Sequence, residues 1–95
     1  MIGKKSCLMQ PERMVKKMVY CNLIDANETS ARYAYGSHPT SLTGEIYFDG
    51  KNGYFEIIKE PENDTVYLKY LKSLYWKYYR DFEKGVFREK IAFEA

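Results

Sequence analysis

Residues 42–58 read Leu42-Thr43-Gly44-Glu45-Ile46-Tyr47-Phe48-Asp49-Gly50-Lys51-Asn52-Gly53-Tyr54-Phe55-Glu56-Ile57-Ile58. Leu42, Ile46 and Phe48 alternate with Thr43, Glu45 and Tyr47, the period of a strand with one buried face. Asp49 to Gly53 is dense in residues that tolerate positive φ, so the chain turns there and runs back as a second strand. A loop of even length puts Leu42, Ile46 and Phe48 on one face with Phe55 and Ile57. Thr43, Glu45 and Tyr47 then share the other with Tyr54 and Glu56. An odd loop would place Glu56 among the apolar side chains, so the pattern selects the even register.

Working outward, residues 67–82 carry a helical pattern. At about 100° per residue, Leu68, Leu71, Leu74, Tyr75, Tyr78 and Phe82 share one face and pack on the apolar face of the hairpin. The helix is expected to start between Pro61 and Thr65, with Asn63 or Asp64 as its cap. It ends at Lys84, where Gly85 suits a left-handed residue and Val86 can contact Phe82. Upstream, Ser30–Tyr35 reads as a strand ending at Gly36, after a turn at Asp25–Glu28. Residues 12–24 admit two readings. Met14, Val15, Met18 and Val19 fit a helix opened by Pro11, whereas Val19, Cys21 and Leu23 alternate as a strand; the turn that follows favours the strand. The tail from Val86 is an edge strand or an extended segment. The expected fold is α+β: an antiparallel meander of three or four strands with one long C-terminal helix on one sheet face. A loose segment over residues 1–10 precedes one domain over residues 11–95.

At 95 residues, with 45% hydrophobic and 17% aromatic side chains, the chain has material for one core and little spare stability. Ten tyrosines suggest a thin core with wet edges, or a contact surface. A formal net charge of +2 says little about partners, although a dedicated nucleic-acid binder more often shows a clear basic excess. No run approaches the roughly 18 apolar residues of a membrane span, and no secretory segment is visible. Cys7 and Cys21 with one histidine make no metal cluster, and without an export signal both are expected as reduced thiols of a cytoplasmic protein. A Cys7–Cys21 disulfide is the other option.

No catalytic, cofactor or metal motif emerges. His38 lies in a loop before Pro39; as a general base it would need Cys7, Cys21, Ser37 or Ser41 as nucleophile and an orienting third group. Glu45 and Glu56 share the outer sheet face and would repel phosphate, which disfavours base stacking on the sheet.

The helix surface stands out instead. Lys69, Lys72, Ser73, Lys77 and Arg80 surround Trp76, the single tryptophan, with no carboxylate between Val66 and Arg80. Lys72 and Arg80 lie four residues either side of it. Three readings compete: a protein contact anchored by Trp76, a nucleic-acid site using the same cations, or a ring covered by Phe87, Ile91 or Phe93 of the tail. A second contact surface is the outer sheet face at Tyr47, Tyr54 and Ile58. The expected role is a small non-enzymatic interaction domain with a protein partner or a second copy. A weak nucleic-acid binder is the alternative, and an enzyme built on His38 comes third.

Overall fold

The hairpin turns on a single carboxylate. Asp49 Oδ1 accepts the amides of Lys51 at 3.0 Å and Asn52 at 2.8 Å, and its Oδ2 accepts Asn52 Nδ2 at 3.2 Å and the Tyr47 hydroxyl at 3.1 Å. These bonds, led by that from the Asn52 amide, hold the Asp49 carboxyl below its ordinary range. The strands either side pair Ile46 with Ile57, Phe48 with Phe55 and Tyr47 with Glu56. The even register expected from the side-chain pattern is the one adopted.

Residues 18–94 are described by the structure, a computed structural model. The described residues form five strands, β1 (Met18–Ala26), β2 (Ser30–Gly36), β3 (Gly44–Asp49), β4 (Tyr54–Lys59) and β5 (Lys90–Glu94), and one helix, α1 (Leu68–Glu83). The sheet is antiparallel in the order β4-β3-β2-β1-β5. Consecutive strands are neighbours as in a meander, and the chain returns after α1 to add β5 beside β1. The tail is therefore a fifth strand. Residues 18–24 are strand, because Val19, Cys21 and Leu23 face the core between β2 and β5. The helical option at residues 12–17, the loose segment at residues 1–10 and Cys7 lie outside the described residues.

One core lies between the sheet and α1. Val19, Cys21, Tyr33, Tyr35, Ile46 and Phe48 meet Leu71, Leu74, Tyr75 and Phe82. Burying each leucine contributes about 1.5–3 kcal/mol. Phe82 stacks on Phe48 at 5.1 Å and on Phe87 at 5.4 Å. Phe87, not Val86, closes the helix end; Val86 is exposed. The end itself follows expectation, with Gly85 at φ 77°, its amide on Phe82 O at 3.0 Å and the Val86 amide on Asp81 O at 2.8 Å.

Four of the ten tyrosines, Tyr33, Tyr35, Tyr70 and Tyr75, are buried, and the others lie at the edges of the core or on the surface. Tyr33 donates to Arg88 O at 2.6 Å, Tyr75 to Asp49 O at 2.9 Å and Tyr78 to Ala92 O at 3.2 Å. Each hydroxyl donates to a backbone carbonyl, a bond that phenylalanine could not make.

Two expectations about α1 need correction. It starts at Leu68 with Tyr67 in extended conformation at its N-cap and no side-chain cap. Asp64 accepts the Ser37 amide at 2.8 Å and hydroxyl at 2.5 Å instead, tying the linker to the end of β2. Leu68, placed in the core by its spacing, is 51% exposed, and Tyr70 is buried in its stead. The helix is rotated toward β5: it packs against β5, β1 and β3, and Tyr70 stacks on Phe93 at 6.4 Å. The column of Leu68, Lys72 and Trp76 is left over β4.

Candidate interaction groove

Trp76 is 64% exposed, the highest value among the large apolar side chains of the described residues. The tail does not cover it, because Phe87 stacks on Phe82 and Phe93 on Tyr70. The indole rests on its own helix, 5.0 Å from the Tyr79 ring and 5.6 Å from Tyr75. Leu68, Lys72 and Trp76 recur every four residues and form one wall of a groove of about 490 Å³. Phe55 and Tyr54 of β4 form the other wall, with Tyr75 between them.

The six helix residues singled out from the sequence do not act as one patch. Lys72 and Trp76 line the groove together. Lys69 lies over the Tyr70 ring at 5.3 Å, and Ser73 donates to Lys69 O at 3.0 Å, so its hydroxyl is used within the helix. Lys77 points the other way, donating to Ala92 O at 2.9 Å with its ammonium 5.2 Å from the Tyr78 ring. Arg80 is exposed on the outer face. Among the described residues, Lys69, Lys72 and Arg80 have no carboxylate partner, since the ion pairs are formed by Arg32, Lys59 and Arg88. Spacing alone missed Leu68, Tyr75 and Phe55 as groove residues, although Leu68-Lys72-Trp76 is a visible four-residue series.

The backbone of β4 completes the groove. The Gly50 amide bonds Thr29 O at 2.8 Å, which sets the phase of the ladder. Antiparallel pairs alternate, so Ile46 and Phe48 bond to β2 while Tyr47 and Asp49 bond to β4. On β4 this turns the N–H and C=O of Tyr54 and Glu56 inward, and those of Phe55 and Ile57 outward. Among the described residues no strand pairs with that outer side.

The outer sheet face is different in character. Tyr47 and Tyr54 lie 6.0 Å apart, but Ile58 is the extra residue of a bulge, between Ile57 opposite Ile46 and Lys59 opposite Glu45. Arg32 bridges Asp25 and Glu45, at 2.7 Å to each. The hydrogen bond from Arg32 keeps the Asp25 carboxyl below its ordinary range. One cation thus meets two carboxylates, so the cluster keeps net negative charge, while Tyr54 and Ile58 of β4 are exposed.

His38 is exposed in its loop. Burial works against ionising the nearby Asp64, but the Ser37 bonds prevail and hold its carboxyl below the usual range. Ser37 is thereby engaged, and burial pushes the Cys21 thiol far above its ordinary value. Among the described residues, no three His, Cys, Asp or Glu side chains converge as a metal site needs, and no helix is long and apolar enough to cross a membrane. The chain matches no protein-family model, no curated protein and no solved structure.

Proposed function

We propose that this protein is a small non-enzymatic interaction domain of the cytoplasm that docks a protein partner in the groove between α1 and β4, with Trp76 as its anchor. The exposure of Trp76 beside Leu68 and Phe55 carries this reading. A domain that leaves its only tryptophan on the surface, with apolar neighbours and Lys72 beside it, has the composition of a binding hot spot. The groove also holds few polar groups that could perform chemistry. Capture from the native cell tests it: proteins that co-purify with the chain should be lost with Trp76→Ala and retained with Ser73→Ala. An unchanged set of partners would remove Trp76 from the binding site.

Nucleic acid is the second reading, favoured by Lys69, Lys72 and Arg80, which have no carboxylate partner among the described residues, on the helix that carries the exposed indole. Phosphate contacts lose affinity steeply with salt, so a salt titration with mixed oligonucleotides separates the two.

A further inference from the structure

The groove and the outer edge of β4 share residues, and that coincidence identifies the shape of what enters. Phe55 and Ile57 direct their side chains toward the helix and their amide and carbonyl groups away from β3. An extended strand is the ligand that satisfies such a row of backbone groups in register. Its alternate side chains then point into the groove against Leu68 and Trp76. The groove wall adds a charge requirement, since Lys72 lies in it with no carboxylate partner among the described residues.

Resting on the assignment of Trp76 as a docking anchor, we infer that the occupant is an extended acidic–apolar peptide segment of a partner protein. It adds to the sheet as a sixth strand beside β4, fills the groove with alternate apolar side chains and places a carboxylate against Lys72. Charge complementarity selects this occupant over a second copy. In a two-fold pairing of β4 with β4 both helices lie on the same face of the joined sheet, bringing two sets of unpaired helix cations toward one another.

The test uses a blocked eight-residue peptide, acetyl-Ser-Val-Ser-Glu-Ser-Leu-Ser-Val-amide, with Trp76 emission as the readout. Binding should shift the emission to the blue. Replacing the glutamate by lysine should weaken binding about fivefold, and Lys72→Glu should invert that preference. N-methylation of one alternate set of peptide amides should abolish binding while the other set is tolerated, because only one set faces β4. Equal tolerance of both sets overturns strand addition yet leaves Trp76 as an anchor. Self-association that Trp76→Ala disrupts, without peptide binding, makes a second copy the occupant and overturns the acidic peptide alone. Salt-sensitive binding of a mixed oligonucleotide without peptide binding, or a monomer that binds neither, overturns this inference and the protein-docking assignment together.

Discussion

The two edges of the sheet are finished in opposite ways. At β5 the outward backbone of Ala92 is occupied twice over: Tyr78 donates to its carbonyl at 3.2 Å and accepts its amide at 3.3 Å, and Lys77 donates to the same carbonyl at 2.9 Å. At β4 no helix side chain reaches the edge, and Phe55 and Ile57 present their outer groups beside exposed Leu68 and Trp76. Unpaired edges invite association, and proteins commonly block them with charged or bulky groups. Here one helix, rotated toward β5, blocks one edge and exposes the other. A single rotation of α1 thus produces both the protected edge and the groove.

The largest test of that rotation is the core itself. Leu71 is fully buried on the side of α1 turned to the sheet, so Leu71→Ala should destabilise by about 2–5 kcal/mol in denaturant melts. A loss below about 1 kcal/mol would mean the helix does not turn that face inward.

Next comes the attachment of the β4 hairpin. A β-carbon on Gly50 would collide with the carbonyl oxygen of Phe82, so helix end and hairpin approach more closely there than alanine allows. Gly50→Ala should cost about 1–3 kcal/mol as an overpacking change. It should also lower protection of β4 amides in hydrogen exchange more than that of β5 amides. Equal losses at both edges would show that the two are not held independently.

Much of this arrangement is legible in the sequence, and what is not has a physical reason. The hairpin register followed from where Glu56 could not go, and the helix end from Gly85. The rotation of α1 could not be read, because a helical wheel defines an apolar face but not the surface that receives it. A helix centred on β3 and β4, as the hairpin pattern suggests when the tail is not fixed as a strand, buries Leu68. Pairing β5 beside β1 moves that centre and buries Tyr70 instead. Strict alternation also breaks at two bulges that the sequence pattern does not mark, at Ile24 between Leu23 and Asp25 and at Ile58 between Ile57 and Lys59. The exposure of Trp76 is legible, because its position on the helix lies opposite Leu71, Leu74 and Phe82. Lys77 was not separable from its neighbours, since its partner is a backbone carbonyl fifteen residues away.

The protected edge yields a smaller effect. Tyr78→Phe removes one hydroxyl that both donates to and accepts from Ala92, and should cost about 0.5–1.5 kcal/mol. Combining it with Lys77→Met strips the edge, and β5 should then behave as an open edge, with concentration-dependent association in sedimentation. If the double variant stays as monodisperse as the parent, the two side chains are not what keeps β5 closed.

The smallest effect is expected at the groove, where folding and function should separate. Leu68 is half exposed on the same helix as Leu71, and Leu68→Ala should change stability by less than about 0.5 kcal/mol. Trp76→Ala forfeits only the partial contacts with Tyr75 and Tyr79 and should cost less than about 1 kcal/mol. As the single tryptophan, Trp76 reports its own surroundings. The free protein should emit in the red and be quenched readily by iodide, which Lys72 draws toward the ring. A blue, unquenched emission together with a Trp76→Ala variant that melts the domain would place the indole in the core. The β4 edge would then be closed like the β5 edge, and the contrast between them would vanish.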